Sequence, residues 1–405
     1  MLKKITDLDV EGKKVLVRID LNLPRKDGVI LDYTRIERSL KTLNYLIEKG
    51  AKIIIISHLG RPKGVYSTDL SLAPIADSLE KYLNKKVGFA SDIFAGNLIE
   101  KTNKLKSGEI LLLENLRFYK GEEKNDKDFV QRLASLADIY INDTFSCSHR
   151  AHASTYGITE VLPSAAGFLL IEELESLEKI LKKPKSPILA IIGGSKVSTK
   201  LELLKSLIQK VDYLAIGGAM ANSFLKALNI EIGSSSFEAE LLEDALEILE
   251  LAKKNNCQII LPEDFIVSET LASAKRANIF KKNEKFEGSI FDIGPSTLKL
   301  IENAIEASST IIWNGPLGAF ETEPFDISSK QIARIIAYRT KYNGLVSVAG
   351  GGDTLAAIKA TGLSSSFTYI STGGGAFLDW LKGQELPGLM KLGISLAKPA
   401  ETLLP

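Results

Sequence analysis

The sequence predicts an α/β protein of doubly wound parallel sheets arranged in two domains. Three observations support this. Short runs rich in Ile, Val and Leu recur along the chain, they are continuous rather than alternating, and helix-length amphipathic segments separate most of them. A continuous run marks a strand buried on both faces, as in a parallel sheet covered by helices. Alternation of such strands with helices gives a doubly wound order. At 405 residues the chain exceeds what one hydrophobic core comfortably serves, which points to two domains.

In chain order the runs are "KVLVRIDLNL", "AKIIIISHLG", "EILLLENLRF", "DIYINDTFS", "PILAIIGGSK", "DYLAIGGAM", "CQIILPEDF", "TIIWNGPLG", "LVSVAGGGD" and "FTYISTGGG". Between them "LSLAPIADSLEKYLN" and "ELLEDALEILELAKKN" carry Leu and Ile at spacings of three and four, the mark of an amphipathic helix. "SAAGFLLIEELESLEKIL" reads as a long helix joining the halves, and prolines and lysines in "LEKILKKPKSPIL" suit a boundary. The expected division is a first domain over 1–168, a connecting helix and linker over 169–186, and a second domain over 187–390.

Composition excludes several classes. A formal net charge of +1 speaks against a nucleic-acid binder, which carries a basic excess or patch. The two cysteines, Cys147 and Cys257, are far apart and without metal-type spacing, which fits a reducing compartment. The start "MLKKITDLDVEGKK" lacks the apolar stretch of a signal peptide. No apolar segment approaches the roughly 20 residues that span a bilayer. The expectation is a soluble, cytoplasmic protein with no membrane and no nucleic-acid partner.

In open α/β sheets ligands bind beyond the carboxyl ends of the strands, and here those ends differ between the halves. The first half supplies Asp20, Asn22, His58, Arg61, Arg117 and Arg150, with Arg35 opening the helix after "DGVILDYT". Guanidinium groups are permanently charged forks suited to phosphate or carboxylate. Arg25, Arg38 and Arg132 are assigned instead to solvated faces. The three histidines, His58, His149 and His152, all lie near this chemistry, although only His58 is placed in the site. In the second half most runs end in glycine: Gly193, Gly217 and Gly218, Gly315, Gly350 to Gly352, and Gly373 to Gly375. Glycines before a helix let phosphate approach backbone N–H groups. Lys196 and Lys200 follow "IIGG", expected one helical turn apart on one face. Neither the P-loop G-x-x-x-x-G-K-[ST] nor a strict G-x-G-x-x-G occurs. Trp313 is expected in the core. Asp353 precedes a helix, where a cap for free backbone donors and a ligand for Mg²⁺ are both open.

Together, "VLVRIDLNLP", "YTRIERSL", "SHLGRPKG", "LLENLRF", "HRAHAST", "IIGGSKVSTK", "IGGAMANSFL", "WNGPLGAFE", "GGGDTLAAI" and "STGGGAFLDWLKGQELPG" closely resemble the phosphoglycerate kinase family, in its order and over nearly the whole chain. The resemblance implies two domains facing across a hinged cleft, with the tail 391–405 returning to the first, and a monomer. It implies the glycolytic, Mg²⁺-dependent reaction of 1,3-bisphosphoglycerate and ADP to 3-phosphoglycerate and ATP. It assigns the 3-phosphoglycerate site to Asp20, Asn22, Arg35, His58, Arg61, Arg117 and Arg150. It places Lys200 on the nucleotide phosphates and Lys196 near the transferring group. It lines the adenine pocket with Gly193, Gly217 and Gly218, and sets Pro316 and Glu321 near the ribose. Asn314, Gly351, Gly352 and Thr354 fall beside the phosphates, Asp353 on Mg²⁺, and Gly373 to Gly375 supply backbone donors to the group in flight. One departure is "DTFSCSHR", where many relatives carry Ala-Phe-Gly after the aspartate; Cys147 is expected to be structural.

Phosphoryl transfer depends on positioning and charge stabilisation rather than on acid–base groups, which suits a histidine-poor chain. The expected catalytic set is Arg35, Lys196, Gly373 and Gly374. Two alternatives remain beside it: a nicotinamide-dependent dehydrogenase, disfavoured by the missing fingerprint, and a silent nucleotide-binding scaffold.

Overall fold

The computed structural model describes residues 2–181 and 184–394. They form two compact units, one running to Glu175 and resuming at Gln384, the other running from Ser176 to Gly383. The chain therefore changes unit within the helix Phe168–Leu181 and again after Gly383. Of the tail from 391, the part beyond Ile394 lies outside the described residues, as do Lys182 and Lys183 of the linker.

The first unit contains β1 (Lys14–Arg18), a hairpin of β2 (Arg25–Lys26) and β3 (Val29–Ile30), β4 (Lys52–Ile56), β5 (Val87–Ala90), β6 (Ile110–Leu113), β7 (Ile139–Asn142) and β8 (Ser164–Ala166). Six of these form a parallel sheet in the order β5-β6-β4-β1-β7-β8. Successive residues of a strand face opposite sides. Thus Val15, Val17, Ile53 and Ile55 pack with Ile36 and Leu43 of the helix Thr34–Glu48 and Leu79 of the helix Ala73–Leu83. Leu16 and Ile54 pack on the other face with Phe129 and Leu133 of the helix Lys127–Ala134. Two covered faces explain the continuous apolar runs.

The second unit contains β9 (Ile188–Ile192), β10 (Tyr213–Ile216), β11 (Gln258–Ile260), β12 (Asp264–Ser268), β13 (Asn278–Lys281), β14 (Ser289–Ile293), β15 (Thr310–Asn314), β16 (Val346–Gly350) and β17 (Tyr369–Ser371). Its six-stranded parallel sheet has the order β11-β10-β9-β15-β16-β17. The strands run outward from β9 to β11, then restart on the other side of β9. That reversal between β9 and β15 opens a crevice at the strands' carboxyl ends. Beside it, β13-β12-β14 form a small antiparallel sheet that the apolar runs do not reveal. β12 is largely buried but its apolar stretch is only Phe265–Val267 between Asp264 and Ser268, β14 is half-buried over Ser289–Phe291, and β13 is largely exposed, so no long continuous run marks them.

Two expectations about elements need correction. Ser164–Ala166 is not the start of the joining helix but edge strand β8, paired with β7; the helix begins at Phe168. Lys196 and Lys200 do not share a helix face, because the helix begins at Leu201 with Lys200 as its N-cap residue. The hydroxyls of Ser198 and Thr199 bond to Glu238 and to the Lys196 carbonyl instead, the local competition that keeps Ser and Thr out of helix interiors.

Candidate active site

In the first unit the end of β1 carries Asp20 and Asn22 beside the helix bearing Arg35. Arg35 Nη1 donates to Asp20 Oδ1 at 3.0 Å and to the Asn22 carbonyl at 2.6 Å. Ser146 Oγ donates to Asp20 Oδ2 at 2.5 Å, and Asn22 N donates to Asp20 Oδ1 at 2.9 Å. Burial pushes the Asp20 carboxyl up, but the Arg35 charge and these hydrogen bonds outweigh it and hold it below the usual range. It is thus an anchored carboxylate that aims Arg35. His58, buried, follows β4; burial and the Arg18 charge hold its pKa well below the ordinary value. Arg18 Nη2 lies 3.0 Å from His58 Nδ1. A guanidinium has no acceptor, so Nδ1 accepts and Nε2 carries the proton. His58 is a neutral donor.

Arg117, also buried, donates through Nη1 to the Gly60 carbonyl at 2.8 Å, while its Nε, 3.5 Å from Glu123 Oε1, is buried without a hydrogen bond among the described residues. Arg150 is half-buried and donates through Nε to His149 Nε2 at 3.1 Å. Arg61 is exposed and makes no contact of this kind among the described residues. Cys147 is buried, with Sγ 3.6 Å from Arg18 Nη2 and 3.8 Å from His58 Nδ1.

In the second unit the crevice between β9 and β15 brings Gly193, Asn314 and Lys200 together. Lys200 Nζ donates to the Gly193 carbonyl, to the Asn314 carbonyl at 3.1 Å and to Asn314 Oδ1 at 2.8 Å. Burial lowers its pKa to about 8, against the pull of Asp353. Asn314 Nδ2 donates to the Gly350 carbonyl at 2.7 Å, tying β15 to β16. A Cβ on Gly193 would stand 1.9 Å from the Pro316 carbonyl oxygen, so only glycine lets the two loops meet. One pocket is lined by Gly194, Gly218, Pro316, Glu321 and Asp353, among others. Gly217 packs against Leu317, and Glu321 is exposed. Asp353 does not cap its helix: Gly351 is the N-cap residue of Gly352–Lys359, and the exposed carboxylate makes no hydrogen bond among the described residues. Thr354 is fully buried, its hydroxyl accepting from Gly315 N at 2.6 Å. At the end of β17 Gly373 N already donates to Ser371 Oγ at 3.0 Å, and Gly374 turns at φ 51° into the helix Gly375–Leu381. Lys196 is exposed.

A family model described as phosphoglycerate kinase matches residues 5–384. The chain belongs to the phosphoglycerate kinase family. A phosphoglycerate kinase of Rhizobium meliloti (strain 1021) is 49% identical over 389 residues, covering 96% of this chain and 98% of the relative. One from Orientia tsutsugamushi (strain Ikeda) is 50% identical over 397 residues, covering 96% and 97%. Among solved structures, phosphoglycerate kinase from Coxiella burnetii superposes with a TM-score of 0.84 at 40% identity, covering 97% of this chain and 99% of the other. The Pyrococcus horikoshii OT3 phosphoglycerate kinase superposes with a TM-score of 0.85 at 32% identity, covering 97% and 98%. Membership of the phosphoglycerate kinase family makes the chain a nucleotide-dependent phosphotransferase rather than a nicotinamide-dependent dehydrogenase.

Seen as a phosphoglycerate kinase family site, the first unit holds groups that sequence reasoning missed. Arg18, 1% exposed, is the centre of a network: Nε donates to Ser154 Oγ at 3.1 Å and Nη1 to the Ile19 carbonyl at 2.6 Å. Ser154 Oγ in turn donates to buried Glu122 Oε1 at 2.6 Å. The available signal was a lone arginine inside an apolar run. Arg25, Arg38 and Arg132 are not on solvated faces: Arg25 reaches the Asp69 and Ser71 carbonyls at 3.5 Å, Arg38 pairs with Glu172 and Glu173, and Arg132 donates to the Ile93 and Ala95 carbonyls. Some polar strand ends serve the scaffold. Glu114 accepts from Leu72 N and Ser71 Oγ at the start of the helix Ala73–Leu83, and Asp143 accepts from Leu169 N and Leu170 N at the start of the joining helix. Trp313 is fully buried, as expected.

Proposed function

We propose that this chain catalyses the reversible, Mg²⁺-dependent transfer of a phosphoryl group from 1,3-bisphosphoglycerate to ADP, giving 3-phosphoglycerate and ATP. The observation that carries the reading is Lys200, whose half-buried ammonium sits at the switch-point crevice with the Asp353 carboxylate close enough to act on it. A cation and an uncommitted carboxylate at a strand-end crevice suit nucleotide phosphates and their metal.

Asp20, Asn22, Arg35, His58, Arg61, Arg117 and Arg150 would bind the three-carbon acid phosphate in the first unit, acting as its substrate domain. Neutral His58 offers Nε2–H to an oxygen without adding charge. Gly193, Gly217, Gly218, Asn314, Pro316, Glu321, Gly351, Gly352 and Thr354 would shape the nucleotide site of the second. An ADP β-phosphate oxygen attacks the acyl phosphorus, the acyl P–O bond breaks, and its electron pair stays on the 3-phosphoglycerate carboxylate. No proton needs to move. Arg35 and Lys196, with the Gly374 backbone, would spread the charge on the equatorial oxygens. Mg²⁺, bound with the nucleotide, neutralises phosphate charge. Asp353 fits as its protein ligand, since its carboxylate is exposed, lines the pocket and is held by no hydrogen bond among the described residues. Among the described residues no group of three or more His, Cys, Asp or Glu side chains is gathered to hold a metal, so phosphate and water would complete the shell. In-line transfer between substrates held by different units requires a closing motion about the joining segments. The reading further includes a monomer working in the cytoplasm; no described helix is long and apolar enough to cross a membrane.

The test is a coupled assay with 3-phosphoglycerate and MgATP. Turnover is expected, and its absence in folded protein overturns the reading. Arg35→Ala is expected to lower kcat by at least about a hundredfold, the range seen when one charge-stabilising donor is removed, with little change in the KM for ATP. An unchanged kcat removes Arg35 from the catalytic set.

A further inference from the structure

We infer that Asn222 is the group that reads the purine base, accepting a hydrogen bond from an exocyclic amino group and so favouring 6-amino over unsubstituted or 6-oxo purines. The inference rests on the reading that the crevice of the second unit takes a nucleotide. Asn222 lies in the helix Ala221–Ala227 and lines the same pocket as Gly218, Pro316 and Glu321. Its side chain is almost fully buried, 1% exposed. Nδ2 donates to the Ser236 carbonyl at 3.1 Å, while Oδ1 is buried with no hydrogen-bond partner among the described residues.

The amide cannot be turned over to relieve this. A backbone carbonyl only accepts, so the nitrogen must face Ser236 and the oxygen must face away from it. Asn222 lines the pocket and Ser236 does not, and with Nδ2 turned to Ser236 the unpartnered Oδ1 is the amide atom left to meet a ligand. The segment Nδ2 holds is itself fixed: Glu238 N donates to Ser223 Oγ at 3.0 Å, and Glu238 accepts from Ser198 N at 3.0 Å. The orientation is therefore built in before any ligand arrives.

Among the described residues, Asn222 Oδ1 is the one buried side-chain polar atom in this pocket wall that lacks a partner. Asp292, which shares the wall, already has partners on both oxygens, Ile293 N and the Ser328 hydroxyl on Oδ1 and Ser328 N on Oδ2. Much of the remaining wall is apolar, with Ala219, Leu225, Pro262, Ile290, Phe291 and Leu317 suited to a flat base. A buried acceptor left unpaired carries a desolvation penalty that a matching donor removes. A base with an amino group supplies that donor. A base without one leaves the oxygen stranded, the asymmetry that gives hydrogen-bonding pockets their selectivity.

The experiment compares MgATP with the Mg²⁺ complex of purine riboside 5′-triphosphate, which has hydrogen in place of the amino group, in the direction that consumes 3-phosphoglycerate. Wild type is expected to show a KM about tenfold higher for the purine analogue with kcat little changed, the size of one net hydrogen bond. In Asn222→Ala the ratio of the two KM values is expected to fall to near one. If Asn222 only anchors Ser236, both KM values rise together and the ratio survives, which overturns the inference. A wild-type ratio near one also overturns it, without any variant. Asn222→Leu, of similar volume, takes the place of Asn222→Ala if the latter fails to fold. No turnover of wild type with MgATP would instead defeat the kinase reading, and the two failures are thereby told apart.

Discussion

Lys200 Nζ is bonded to carbonyl oxygens, with its pKa lowered to about 8 by burial. A phosphate brought to Nζ would stabilise the ammonium and raise that value. The free protein then loses the lysine charge as pH rises past 8, while the bound form keeps it. Nucleotide affinity is expected to weaken between about pH 8 and 10, with proton uptake on binding visible by calorimetry in buffers of different ionisation enthalpy. In Lys200→Met the affinity is lower throughout and that pH dependence disappears. The same residue shows what a sequence cannot disclose. Its identity and neighbourhood were legible, but its parking on Gly193 and Asn314 depends on a loop that closes only in three dimensions. Arg18 is the converse, a residue in plain view within "KVLVRIDLNL" whose importance emerges only when β1 lands between β4 and β7, delivering His58 and Cys147 to its sides.

At the scale of elements, the loops around the pocket are held by buried acids. Asp292, at the end of β14, accepts from Ser328 at the start of the helix Ile327–Asn343, and Gly318 packs so closely on it that a Cβ would stand 2.3 Å from Oδ1. Burial pushes its carboxyl up to about 7; the hydrogen bonds from Ser328 and Ile293 oppose the rise and Asp326 adds to it. An unfolded aspartate titrates near 3.9. Between roughly pH 4 and 7 the folded chain holds a proton that the unfolded chain has released, so this group's contribution falls as pH rises through that window. Asp292→Asn is expected to remove the slope: the wild-type unfolding free energy should drop relative to the variant by on the order of 2 kcal/mol from pH 5 to 7, read by denaturant titration. Parallel curves would show that Asp292 does not titrate there. The parallel strands were legible because burial on both faces leaves nothing to alternate. Edge strands β5 and β8 and the β13-β12-β14 sheet were not, since one open face or a trio of small residues erases the signal. Asp292 itself, polar and inside a strand of the hidden sheet, went with it.

At the scale of the molecule, each unit has its own buried core. Two ligands bound to different units should therefore stabilise different parts of the chain. In calorimetry, saturating MgADP is expected to raise the melting of the second unit and 3-phosphoglycerate that of the first, each by about 2.7 kcal/mol at a hundred times Kd. A single transition shifted equally by both would show that the units melt as one. The division into two bodies was legible from length and from the contrast between basic and glycine-rich strand ends. The return of the chain at Gln384 was implied only by the family resemblance, and from position 391.

That return has a consequence for synthesis. Residues 384–394 place Leu386, Leu389 and Leu392 in buried positions, and Gly388 N donates to the Ser148 carbonyl at 2.9 Å, beside the β7 loop that carries Ser146 and Cys147. The second unit is thus a guest inserted into its host. On the ribosome the guest is whole as soon as Gly383 emerges, whereas the host, begun first, waits for a segment translated about two hundred residues later than the rest of it. A chain cut short after Gly383 would keep every residue of the nucleotide unit and lose the closing piece of the older one.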